Sequence, residues 1–223
     1  MLPSPSFAPG ETRFEFAGPA GVLEAALMRA QPEDERKAIV ICCHPLPTQG
    51  GSMTNKVIHT VAKAFTGLGL PTLRFNFRGT GGSTGQFDEG RGEVDDVLAA
   101  AAWAQQQFPG YELWLAGFSF GSFVSLTASA RLPVAQVLSV APPVQRFDFS
   151  AFQRPASPWL VVMPEADEVV SPPAVFAWLD TLSAPPTLIR FPETSHFFHG
   201  KLIELREVLQ THYAPSLPER VLA

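Results

Sequence analysis

Tyr111-Glu-Leu-Trp-Leu-Ala116, then Gly117-Phe118-Ser119-Phe120-Gly121, then Ser122–Ala130 is the stretch on which the reading of this chain turns. An apolar run, a serine between glycines two positions either side, and a helix-like run predict a strand over Tyr111–Gly117, a one-residue turn, and a helix to Arg131. A serine at the tip of such a turn sits in a strained backbone conformation with its hydroxyl presented outward. The glycines let strand and helix pass closely. This is the form of a nucleophile elbow, and it makes Ser119 the candidate nucleophile.

Working outward, Thr12–Phe16 alternates polar and apolar residues and reads as an edge strand, with Val22–Arg29 as its hairpin partner. Ala38–Cys43 is an unbroken, β-branched run, the pattern of a parallel strand buried on both faces. Lys56–Leu68 has helical spacing, Thr72–Phe77 reads as a strand, and Glu93–Phe108 as a long Ala-rich helix ended by Pro109-Gly110. After the elbow come strands Val134–Val140, Trp159–Met163 and Thr187–Phe191, with helices over Pro172–Leu182 and Leu202–His212. Strands separated by helices make βαβ units, hence a mostly parallel sheet of about eight strands flanked by helices. Residues 1–10 are expected to be disordered or extended, and residues 11–223 to form one α/β domain.

Composition fits a folded enzyme and disfavours other classes. Apolar residues make up 46% of the 223 and charged residues 17%, and the net charge is −5 without a basic cluster, so no nucleic-acid partner is expected. No stretch reaches membrane-spanning length, and the N-terminus lacks the pattern of a signal peptide, so a reduced cytoplasm is the expected compartment. The two cysteines, Cys42 and Cys43, are strand neighbours pointing to opposite faces, poorly placed to pair with each other. The five histidines lack ligand spacing with them, so neither a metal nor another cofactor is expected.

A serine nucleophile needs a base held by a third group, and in a parallel sheet these belong in loops at the carboxyl ends of strands. Three carboxylates, Glu165, Asp167 and Glu168, follow the strand Trp159–Met163. Asp167 is the expected acid, with Glu165 in reserve. His196, just after the last strand, is the expected base, whereas His199 and His212 belong to the final helix region. His44 is expected to hold its own loop by hydrogen bonds, and His59 to be a helix residue without a role.

Four motifs carry a resemblance: His44-Pro45-Leu46-Pro47 with Gly50-Gly51 and Asn55-Lys56-Val57; Phe75-Asn76-Phe77-Arg78-Gly79 with Gly81-Gly82-Ser83 and Gly85; the elbow; and Ser195-His196-Phe197-Phe198-His199-Gly200-Lys201-Leu202. In this order, from about Glu11 to His212, the chain resembles the small, single-domain bacterial α/β-hydrolases related to dienelactone hydrolase. The resemblance implies an α/β-hydrolase fold, a Ser119, Asp167, His196 triad and cleavage of ester-like bonds of a small molecule. An acyltransferase using the same triad, or a non-catalytic binding protein of this fold, are the alternatives. Met163-Pro164 departs from the glycine often found there, which leaves the path to Asp167 open.

The oxyanion of an acyl-transfer intermediate needs two backbone N–H donors. Phe120 is one candidate; Leu46, between two prolines that have no N–H, is the other, with Thr48 as its alternative. Relatives often insert a helical cap after the strand matching Val134–Val140. Here only Ala141–Pro158 follows, too short for a cap domain, and its Phe147, Phe149 and Phe152 are expected to form at most a small apolar wall for substrate. Arg78 is expected to pair with Asp95 or Asp96 or, on the functional reading, to hold a substrate carboxylate.

Overall fold

The computed structural model describes residues 7–149 and 153–221. The elements are β1 (Gly10–Gly18), β2 (Gly21–Arg29), β3 (Ala38–Cys43), α1 (Lys56–Thr66), β4 (Thr72–Phe75), α2 (Arg91–Gln107), β5 (Glu112–Phe118), α3 (Phe120–Ser129), β6 (Val134–Val140), β7 (Trp159–Pro164), α4 (Pro172–Asp180), β8 (Thr187–Phe191) and α5 (Leu202–Tyr213). The eight strands form one sheet in the order β1-β2-β4-β3-β5-β6-β7-β8. The β1 and β2 hairpin joins β4 antiparallel, and every pairing from β4 through β8 is parallel. The expected α/β-hydrolase architecture is thus present. Of the N-terminal segment, residues 1–6 lie outside the described residues; Phe7 packs against Phe14 and Trp103, and β1 begins at Gly10.

The unbroken apolar strands separate two cores. In β3, Val40 and Cys42 face α1 and α5 with Val57, Val61, Phe65, Leu205 and Leu209, while Ile39, Ile41 and Cys43 face α2 and α3 with Val97, Ala101, Phe120 and Val124. The neighbouring cysteines therefore do point to opposite faces, both reduced and buried.

One strand is shorter than its alternation predicts. The strand expected over Thr72–Phe77 ends early, because the ladder stops at Phe75. Asn76 N–H still donates to the Glu24 carbonyl at 2.8 Å, and beyond it side chains take over as acceptors: Phe77 N–H donates to His44 Nε2 at 3.0 Å and Arg78 N–H to Asp96 Oδ2 at 3.0 Å. The side chain of Asn76 itself bridges the Met53 N–H at 2.8 Å and Glu24 Oε2 at 2.7 Å. Arg78 spreads its guanidinium over Asp96, with Nη2 to Oδ1 at 2.7 Å, and lies flat on the first turn of α2 where Gly92 leaves room. Asp96 is its partner; Asp95 pairs instead with Arg131.

Residues 141–158 join β6 to β7 with turns and bends and, among the described residues, neither helix nor strand. This matches the expectation of no cap domain.

Candidate active site

Ser119 occupies the turn between β5 and α3 with φ 52° and ψ −120°, a left-handed conformation that costs an L-residue free energy. What holds it there is backbone crowding. A Cβ at Gly117 would lie 2.3 Å from the Gly121 carbonyl oxygen, and a Cβ at Gly121 only 2.1 Å from the Cys43 carbonyl oxygen. Only glycine permits either approach. The Ser119 N–H donates to Val140 O at 2.8 Å, and the Ser122 hydroxyl to Ser119 O at 2.7 Å, which ties the turn to β6 and to α3.

On the far side of the site, the loop after β7 and the loop after β8 meet. Asp167 Oδ2 lies 2.7 Å from His196 Nδ1, and both side chains are buried, at 0% and 2% exposure. Asp167 Oδ1 accepts the N–H groups of Val169 and Val170 at 2.8 and 2.7 Å. With one carboxylate oxygen fixed by two amides, the other is aimed at the ring. The carboxylate is thus bound as an acceptor, so Nδ1 carries the proton and Nε2 is left as the basic nitrogen. The ring of His196 packs 4.8 Å from that of Phe118, the residue before Ser119.

Glu165, the reserve acid, points elsewhere: it pairs with Arg190, whose guanidinium sits 4.2 Å over Phe176. Pro164 ends β7 in the ladder opposite Phe191, so the Met163-Pro164 departure leaves the path to Asp167 intact. Glu168, the third carboxylate after that strand, was given no role by the sequence. Its Oε2 accepts the backbone N–H of His196 at 3.1 Å, so two consecutive carboxylates grip one histidine, one by the ring and one by the main chain. Three acidic residues in four positions were visible, but which faces β8 depends on the turn.

The loop after β3 closes the third side. His44 is fully buried, with Nδ1 at 2.7 Å from Pro45 O and Nε2 accepting from Phe77 N–H. Burial pushes its pKa down to about 4, so the ring is neutral and ties the loop to the end of β4. Gln49 and Gly51 N–H groups donate to Leu46 O at 3.1 and 3.0 Å, which curls the loop into a compact turn. Among the described residues, the N–H groups of Leu46, Thr48 and Phe120 have no acceptor. Of Leu46 and Thr48, only Leu46 borders the cavity that holds Ser119.

That cavity measures about 210 Å³ and is lined by Ser119, His196, Leu46, Pro45, Gln49, Gly50, Gly51, Asn55, Val169 and Phe197. It brings together the nucleophile and base singled out in the sequence and one candidate oxyanion donor. The expected phenylalanine wall is not part of it. Phe147 stacks on Phe123 at 5.0 Å and packs against Phe120 at 5.2 Å, and Phe149 packs on Phe123 and Trp178 at 5.3 and 5.0 Å. Both line a neighbouring cavity with Trp178, because α3 already offers them an aromatic surface. Phe152 lies outside the described residues. The aromatic ring that does border Ser119 is Phe197, 40% exposed and edge-on to His196 at 4.9 Å. Its signal was its position directly after the histidine. No group of three or more potential metal ligands occurs among the described residues, and no helix among them is long and apolar enough to cross a membrane.

Comparison with known proteins places the fold. A family model described as alpha/beta hydrolase fold matches residues 38–170. An uncharacterised protein of Rickettsia prowazekii is 33% identical over 207 residues, covering 88% of this chain and 86% of that protein. Among solved structures, an α/β serine hydrolase without lid from Xanthomonas campestris superposes with a TM-score of 0.92 at 48% identity, covering 97% of this chain and 99% of its own. An α/β serine hydrolase homologue from Coxiella burnetii gives 0.88 at 44% identity, covering 93% and 99%. With more than half of its length inside the family model, the chain belongs to the alpha/beta hydrolase fold family.

Proposed function

We propose that this protein is a serine esterase acting on small esters through Ser119, His196 and Asp167. The observation that carries the reading is the buried Asp167–His196 pair at 2.7 Å, whose histidine borders the same small cavity as a serine in a left-handed elbow. Asp167 holds the proton on Nδ1, so Nε2 takes the proton of Ser119 as the hydroxyl oxygen attacks the ester carbonyl. The unpartnered N–H groups of Phe120 and Leu46 receive the oxyanion. Protonated His196 returns its proton to the leaving alcohol, and water then releases the acyl group by the same steps in reverse. The described relatives named as serine hydrolases support the class of chemistry.

Cavity size supports a short acyl group. About 210 Å³ falls below the roughly 300–1,000 Å³ of sites for drug-sized ligands. Acetyl and butyryl esters should therefore react faster than octanoyl esters; a rate optimum at eight carbons or more contradicts this. The direct test is a fluorophosphonate probe with an ester panel. Wild type should label and turn over, and Ser119→Ala should do neither. Labelling that persists in Ser119→Ala, or wild type inert to both probe and panel, refutes the proposal.

A further inference from the structure

Asn55 borders the Ser119 cavity and its side chain is only half committed. Its Oδ1 caps α1, accepting the N–H groups of Val57 at 2.9 Å and Ile58 at 3.3 Å. Two N–H donors identify that atom as the oxygen, which fixes the amide's orientation. The Nδ2 group has no acceptor among the described residues. It is held in place by the cap, so it loses little entropy on making a further bond. The remaining cavity wall is apolar or backbone, from Pro45, Leu46, Gly50, Gly51, Val169 and Phe197, with the Gln49 amide as the other polar side chain. Apart from His196, no ionisable side chain lines it.

Resting on the esterase reading, we infer that Asn55 is a specificity-determining residue, and that its Nδ2 group donates to an oxygen of the substrate other than the reacting ester. The preferred substrate is then an uncharged short ester carrying a hydroxyl, ether or keto oxygen close to the ester group. No side chain of the lining other than His196 could pair with a charge on the substrate, the Arg146 guanidinium standing outside it and spent on Gln49 Oε1 at 3.4 Å, and a buried charge without a partner is costly. A donor that a bound substrate covers and leaves facing a methylene is also penalised, which is how a hydrogen-bonding site rejects the analogue that lacks the group.

The test separates the donor from the cap. Asn55→Asp and Asn55→Ser both keep an oxygen that caps α1, since Asp and Ser are good N-cap residues, but both remove the NH₂. Ethyl methoxyacetate and ethyl butanoate differ by one oxygen in place of a methylene. The quantity read is the ratio of their kcat/KM values, corrected by their alkaline hydrolysis rates. Wild type should favour the methoxy ester, and both variants should lose about five- to tenfold of that preference, the loss expected for one hydrogen bond. An unchanged ratio in both variants, with Ser119-dependent turnover intact, overturns this inference alone. Absence of Ser119-dependent turnover of either ester in wild type overturns the esterase reading and this inference with it.

Discussion

Acid should loosen this fold through one ring. His44 is buried with both nitrogens engaged, Nδ1 at Pro45 O and Nε2 taking the Phe77 N–H. Protonating Nε2 would set two donors against each other in a site without water access. Its folded pKa, down to about 4, lies below the unfolded value of about 6.5. The unfolded chain therefore binds the proton first as pH falls. The His44 contribution is complete above about pH 6.5, declines through the window from 6.5 to 4, and is fully lost below it. Two and a half pKa units correspond to about 3 kcal/mol at roughly 1.4 kcal/mol per unit, with a slope approaching one proton. Urea unfolding at pH 7.5, 6.5, 5.5 and 4.5 should show this slope in wild type. His44→Gln, which keeps an acceptor for Phe77, should be less stable at pH 7.5 by about 1–2 kcal/mol but flatter with pH by about one proton. All other titrating groups are common to both proteins, so the difference isolates His44. Parallel stability–pH curves for the two would refute the reasoning.

Three further outcomes follow. Gly121→Ala puts a methyl 2.1 Å from the Cys43 oxygen and 2.6 Å from the His44 oxygen, both backbone atoms, so thermal unfolding should show a loss above about 3 kcal/mol or failure to fold. Asp167→Asn should lower kcat by on the order of a thousandfold while Glu165→Gln, which breaks only a partly exposed pair with Arg190, leaves kcat within about threefold; steady-state kinetics with the reverse order would reassign the acid. Burial pushes the Cys42 thiol up to about 12 and the Cys43 thiol well above its ordinary value, so iodoacetamide at pH 8 should label neither until urea unfolds the chain, as mass spectrometry would report.

Much of this architecture is legible in the sequence because its strands are dense apolar runs bounded by prolines and polar turns. β3, β6 and β8 fall where their runs begin and end. Prediction weakened where a side chain replaces a backbone partner. The apolar pattern carried β4 on to Phe77, yet His44 and Asp96 take the amides of Phe77 and Arg78, and no local pattern announces acceptors 33 and 18 residues away. The candidate site divides the same way. Ser119, Asp167 and His196 are marked by their place after strands, whereas Glu168 acts through the main chain of His196, and the cap geometry that frees the Asn55 amide requires the fold. The Phe147 and Phe149 wall failed because composition cannot say which neighbouring aromatic surface a loop will prefer.

The crowding at Gly117 and Gly121 has a consequence for how the molecule tolerates change. The end of β5, the first turn of α3 and the end of β3 meet main chain to main chain, with no side chain between them. The span from the Ser119 hydroxyl to the loop carrying Leu46 is therefore a ruler made of peptide groups, whose dimensions are the same for every sequence. Core side chains on either face of the sheet can drift in volume, and stability will drift with them, while the spacing around Ser119 stays fixed. Precision at the site and robustness of the scaffold are in this way governed by different atoms.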